Sequence, residues 1–153
     1  MNIKGLVHVN INCSDFTKSL KFYELLGFQQ ILEVPAKNSA EVAAAVGMPP
    51  YTVKGALLRL QGSDTAFMID LIEWQEPFDP SPPYPHLYHL GIARIALATD
   101  DLDSDVSFLR SEGVEFFSEP VTVQLDGRPP TRFVCFKDPD GTVLELVQVH
   151  VGK

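Results

Sequence analysis

Basic residues are scarce in this chain: twelve lysines and arginines face twenty aspartates and glutamates, a formal charge of −8 over 153 residues. That deficit weighs against nucleic acid, whose binding depends on cations meeting phosphates. It is compatible with a neutral or cationic small-molecule ligand, although most of the acidity reads as ordinary solubilising charge. Long apolar runs are missing as well. None approaches the roughly 20 residues of a membrane-spanning helix, so no membrane partner is expected. Cysteine is limited to Cys13 and Cys135, which fall on expected strands and read as reduced core residues rather than a disulfide framework. No P-loop, dinucleotide glycine fingerprint, CxxC, HExxH or GxSxG occurs, so nucleotide and hydrolase readings lack support. Nor does a signal-peptide pattern separate Met1–Gly5 from the first strand-like segment, and a cytoplasmic setting is the expectation.

What the chain does have is apolar content, 45% of residues, enough for one compact domain or two half-size modules and too much for disorder. An internal repeat chooses the modules. Gly5–Glu33 laid over Gly91–Glu119 keeps a constant offset of 86, matching Gly5 with Gly91, Asp15 with Asp101, Phe22 with Phe108 and Gly27 with Gly113. Further on, AFMIDLIEW (Ala66–Trp74) matches GTVLELVQV (Gly141–Val149) at an offset of 75, pairing Asp70 with Glu145. The fall from 86 to 75 places eleven extra residues within Asn38–Tyr51 of the first module.

Each copy carries the same local signals. Val7, Val9, Ile11 and Cys13 alternate with His8, Asn10 and Asn12, the period of a strand with two unlike faces. Asp15 and Asp101 suit helix N-caps. Leu20, Tyr23 or Phe22, and Leu26 form the expected buried stripe, and Gly27 the left-handed stop. In the extra segment, Ser39 caps a short helix over about 39–47, which Gly47 and Pro49–Pro50 end. That helix is either a lid or a packed decoration. Five prolines within Glu76–Leu90 read as an extended linker, and Lys137–Gly141 (KDPDG) as a hairpin turn that makes Asp138 and Asp140 turn formers. The expected organisation is therefore a first βαβββ module over 1–75, a linker over 76–90 and a second βαβββ module over 91–153. The fold class is α+β, with the tandem modules forming a curved eight-stranded half-barrel cup.

Alternation also predicts the cup's lining. Val9 and Ile11 face the helix, sending His8, Asn10 and Asn12 inward. Arg94 points inward at the place matching His8. Asp70, Ile72 and Trp74 line the first module, and Val143, Glu145 and Val147 the second. Asp70 and Glu145 are the informative pair, because a carboxylate inside an apolar strand is costly unless a metal, a cation or a ligand compensates it. Trp74 has inward parity and the best claim among Trp74, Tyr84, Tyr88, Phe116 and Phe117 to an aromatic wall. His86 and His89 sit on the linker and His150 beyond the last strand, so solvent exposure is the plain expectation for them.

The pattern resembles the vicinal oxygen chelate superfamily, which includes glyoxalase I, methylmalonyl-CoA epimerase, extradiol dioxygenases and bleomycin-resistance binding proteins. The resemblance is carried by His8 before the Asp15 helix, FYELLGF at Phe22–Phe28, GIARIALATDDLD at Gly91–Asp103 and DPDGTVLELVQ at Asp138–Gln148. It implies one metal ligand from the first and fourth strand of each module, by position His8, Asp70, Arg94 and Glu145. Arg94 stands where family members carry His, and a guanidinium has no lone pair for a metal.

Two readings follow from that departure. In the first, Arg94 occupies the metal's place and compensates the carboxylates. A positive charge about 4 Å from a dication is repelled by several kcal/mol even at an effective dielectric near 20. The protein is then a metal-free binder or sequesterer of a drug-sized or aromatic metabolite, with Asn10, Asn12, Trp74 and Arg94 as ligand-binding residues. In the second, His8, Asp70 and Glu145 hold a divalent metal (Zn, Ni, Mn or Fe). A glyoxalase- or epimerase-like lyase or isomerase then acts through an enediolate, with His8 and Glu145 as catalytic residues and Arg94 gripping an anionic substrate group. Extradiol cleavage is a weaker third reading, since it needs two His and only His8 is available. The resemblance also implies a homodimer, side by side or with exchanged modules.

Overall fold

The computed structural model describes residues 1–63, 65–124 and 126–149. The chain divides into two compact units, Met1–Ser81 and Pro82–Lys153. Unit 2 carries the β-α-β-β-β order expected from the repeat and unit 1 the same order with one extra helix after its second strand, giving an α+β protein with two four-stranded sheets. The division falls inside residues 77–94, which contain neither helix nor strand. Among the described residues no helix is long and apolar enough to cross a membrane.

In unit 1 the elements are β1 (His8–Asn12), α1 (Phe16–Leu25), β2 (Phe28–Val34), α2 (Ala40–Ala45), β3 (Thr52–Leu60) and β4 (Met68–Glu76). The sheet order is β1-β4-β3-β2, with β1 parallel to β4 and the other pairs antiparallel. Asp15 caps α1 by accepting the Lys18 N–H at 3.0 Å, and Gly27 ends it at φ +88°. Ile69, Leu71, Ala56 and Leu58 pair across β4 and β3 and are buried with Tyr23 and Phe28. The helix stripe differs from the expected one. Phe16, Ser19 and Tyr23 are the buried residues of α1, while Leu20 and Leu26 are only half-buried. Spacings of three and four put these residues on one face, and the small Ser19 side chain is fully enclosed there, where a helix comes close to its neighbours.

The extra segment of unit 1 folds as its composition predicts. Ser39 accepts the Val42 N–H at 3.3 Å, Gly47 takes φ +73°, and Ala43 is fully buried. A bridge between Lys37 and Thr52, with the Val53 N–H donating to the Ala36 carbonyl at 3.0 Å, closes its base.

Unit 2 comprises β5 (Ile95–Ala98), α3 (Leu102–Ser111), β6 (Val121–Val123), β7 (Thr131–Lys137) and β8 (Val143–Val149), in sheet order β5-β8-β7-β6. Asp101 caps α3 through the Ser104 N–H at 3.0 Å. Leu102, Val106 and Leu109 are buried, as are Val134, Phe136, Leu144 and Leu146. The KDPDG turn forms around Asp138, whose Oδ1 accepts the N–H groups of Asp140 and Thr142 at 3.0 and 2.8 Å. Asp138 is thus a turn former. Cys13 and Cys135 are buried and are not joined in a disulfide.

Candidate functional site

On unit 1 the residues expected to face away from the helix lie together by register. His8 pairs with Met68, Asn10 with Asp70 and Asn12 with Ile72 across β1 and β4, and Leu57 and Gly55 continue those rows on β3. Because side chains alternate along a strand, this whole set shares the face opposite Ile69 and Leu71. Its centre is Asp70. The Asn10 amide donates to the Asp70 backbone carbonyl at 3.0 Å. The Asp70 Oδ1 oxygen is shut off from solvent and accepts no hydrogen bond from the described residues. Burial raises the carboxyl above its ordinary range, while the nearby His8 and the Asn10 amide pull it back part of the way. Such a carboxylate favours a donor or cation that restores what water would have given it.

Gly55 shapes the same face. A Cβ there would meet the Leu71 carbonyl oxygen at 2.6 Å and the Ile72 Cδ1 at 2.8 Å. Glycine therefore lets Ile72 lie across β3, and Ile72 is itself buried. At the far end of β4, the Trp74 indole N–H donates to Asn12 Oδ1 at 2.9 Å. Glu73, on the opposite parity, accepts the Phe16 N–H at 2.8 Å and ties β4 to the start of α1.

The corresponding face of unit 2 is built differently. Ala96 pairs with Glu145, and Cys135 with Glu145 from the other side. Arg94 lies two residues before Ala96, and its guanidinium Nε forms an ion pair with Glu145 Oε2. The Cys135 thiol donates to the same oxygen at 3.9 Å. Burial, first, and the Glu145 charge raise that thiol, against a smaller pull from Arg94. It is therefore protonated and unreactive at neutral pH. Glu145 is only 7% exposed, and its cation sits beside it.

The remaining candidates separate. Phe116 is half-buried and packs on the buried Phe136 ring at 5.2 Å between centroids. Phe117 is exposed, with the Lys137 ammonium 5.7 Å from its ring. Tyr84 stacks on His89 and Tyr88 on His86, at 6.0 and 4.7 Å, and both histidines are exposed. His150 lies outside the described residues. Among the described residues of either unit, no group of three or more His, Cys, Asp and Glu side chains is placed to hold a metal ion.

Two contributors escaped sequence reasoning. Tyr51, read only as the end of the extra segment, places its ring against Trp74. The sole hint was an aromatic residue directly after Pro49–Pro50. Cys135 touches Glu145 because the two are register partners, and no local pattern signals that.

Residues 5–146 match the family model described as Glyoxalase/Bleomycin resistance protein/Dioxygenase superfamily. The chain is 32% identical over 150 residues to the protein YwkD of Bacillus subtilis (strain 168), covering 97% of this chain and 99% of that one. A glyoxalase family protein from Bacillus cereus superposes with a TM-score of 0.80 at 19% identity, covering 97% of this chain and 96% of that one. TnmS3, an antibiotic binding protein from Streptomyces sp. CB03234, superposes at 0.62 with 24% identity, covering 97% and 98%. At those identities the two structures speak for the fold alone.

Proposed function

We propose a function from one premise, that the chain belongs to the Glyoxalase/Bleomycin resistance protein/Dioxygenase superfamily: it binds a drug-sized or aromatic small molecule and does so without a catalytic metal. The observation that carries this reading is the ion pair between Arg94 and Glu145. At the four positions where the family resemblance puts metal ligands, this chain has His8, Asp70, Arg94 and Glu145. A guanidinium donates no lone pair and stays protonated at any working pH. Its partner Glu145 already has its charge answered. These residues do not fit a resident metal. They fit ligand contact instead, through Asn10, Asn12 and Trp74 on the face of unit 1 and through Arg94 on the face of unit 2, each taken by itself.

One scaffold hosts many activities, so the fold alone does not assign this one. That TnmS3 is an antibiotic binding protein gives the sequestering role a precedent on the same fold. The proposal extends to a cytoplasmic homodimer, side by side or with exchanged modules. The exposed apolar side chains Ile3, Leu6 and Val7 of unit 1, and Leu90 and Ile92 of unit 2, support association.

A second reading is favoured by the unit 1 face itself, where His8 lies near a carboxylate whose Oδ1 has no donor among the described residues. In a lyase or isomerase built on this chain, a divalent ion would supply a Lewis acid. His8 or a carboxylate would remove a proton alpha to a carbonyl, and Arg94 would hold an anionic substrate group.

Titration with a panel of drug-sized and aromatic compounds separates the two. The binding reading expects saturable binding unchanged by EDTA, with every compound recovered intact. Turnover that EDTA abolishes and a divalent metal restores overturns it.

A further inference from the structure

The eleven extra residues of the first module end on the face described above. They fall within Asn38–Tyr51. The Asn38 Oδ1 accepts the Tyr51 N–H at 2.8 Å, so one side chain fixes both ends. The Tyr51 ring then meets the Trp74 ring at 4.8 Å between centroids, with the planes open at 52°. Trp74 is held in turn by Asn12, which accepts its indole N–H at 2.9 Å. That bond commits the only hydrogen-bond donor of the indole. What Trp74 offers a ligand is π surface, and both rings remain half-exposed. Among the described residues the second module has no helix between its second and third strands.

Resting on the ligand-binding reading, we infer that Tyr51 and Trp74 form a subsite for a flat aromatic ring of the ligand, with Tyr51, delivered by the insert, as the selectivity-determining residue. A planar ring can stack on the open face of one of these rings and meet the other at its edge, whereas a saturated ring of the same outline gains contact without the quadrupole match.

Trp74 is the only tryptophan in the chain, so the emission of the full-length protein reports on this place alone. Two neutral probes of matched outline suffice, naphthalene-2-carboxamide and decahydronaphthalene-2-carboxamide, with affinities taken from calorimetry and emission recorded in parallel. The planar probe is expected to bind roughly five-fold tighter and to change Trp74 emission. Tyr51→Leu, which keeps bulk but removes the π face, is expected to bring the two affinities within about two-fold of each other, while Tyr51→Phe preserves the preference. In the unsubstituted protein, ring protons of the planar probe are expected to show nuclear Overhauser contacts to the Trp74 indole.

Equal affinity for the two probes, a preference that survives Tyr51→Leu, or absence of those contacts overturns the inference. Metal-dependent turnover with the planar preference intact would defeat the binding-protein reading alone. Chelator-independent binding without the preference would defeat the subsite alone.

Discussion

Asp70 and Glu145 hold the same place in the two halves of an internal repeat and live in opposite electrostatic circumstances. Glu145 has a guanidinium from its own unit and a thiol on the same oxygen. Asp70 has an amide close by, a histidine near enough to be felt, and one oxygen shut off from solvent with no donor among the described residues. The neighbours diverge too. Where unit 2 has Phe133 and Cys135 on β7, unit 1 has Gly55 and Leu57 on β3, judged by pairing to the fourth strands. Duplication kept the backbone and the carboxylate positions, while the side chains beside them were free to take different work. In unit 2 the work is to satisfy a charge internally. In unit 1 a polar, half-open face remains, with an aromatic pair at one end.

The largest expected effect breaks the satisfied side. Arg94→Met keeps much of the stem but leaves Glu145 buried without a cation. Urea unfolding should show a loss of about 2–3 kcal/mol, less than for a fully enclosed pair because the Arg94 side chain is 43% exposed. Adding Glu145→Leu should return most of that stability, and a loss from the single change below about 0.5 kcal/mol would contradict the pairing's importance.

Gly55→Ala attacks the packing of the other side. Its new methyl collides with the Leu71 carbonyl and the Ile72 methyl, and the same assay should give a loss of about 1–2 kcal/mol.

Asp70→Asn should act with the opposite sign to Arg94→Met and stabilise the protein at pH 7, by under about 1 kcal/mol since the carboxyl is half-exposed and screened. The pH dependence follows from the direction of the shift. Asp70 is raised from 3.8 when folded, so in the window above 3.8 the native state binds more protons than the unfolded one. Its burial then counts increasingly against folding as pH rises. The gain from Asn should therefore shrink to nothing as pH falls below 3.8, and a pH-independent gain would sink this explanation.

The smallest effect concerns how each unit fastens its helix to its sheet. In unit 1 Glu73 accepts the Phe16 N–H. In unit 2 Arg132 forms two bonds of 2.7 Å to Asp103 in the first turn of α3. Arg132→Ala should lower the melting temperature less than either Arg94→Met or Gly55→Ala, and high salt should erase the difference. Arg132 holds the Asp103 carboxyl below its ordinary 3.8. The contribution is thus present above 3.8 and lost as pH falls through the lower folded value.

Much of this was legible beforehand because it depends on local chemistry and on period. The caps at Asp15, Ser39 and Asp101, the stops at Gly27 and Gly47, and the KDPDG turn are written in adjacent residues. Strand parity placed Asn10 beside Asp70, since alternation is a property of the strand itself, whereas Arg94, expected on the strand, lies one residue before β5 and pairs with Glu145 from there. The misses are all tertiary. Ser19 is buried instead of Leu20 because the neighbouring surface, not hydrophobicity, decides which residue fits there. Tyr51 reaches Trp74 through the path of an insert whose return no periodic pattern encodes. The contact of Cys135 with Glu145 required knowing the register between β7 and β8.

The central claim is that a guanidinium has taken the place of a metal ligand, and metal content after loading tests it most directly. The purified natural protein and Arg94→His are each incubated with Zn²⁺, Ni²⁺, Mn²⁺ or Fe²⁺, dialysed, and measured for bound metal per chain. The expected result is no retained stoichiometric metal in the natural protein, and retention of at least one of these ions in Arg94→His. One tightly held equivalent in the natural protein would contradict the claim.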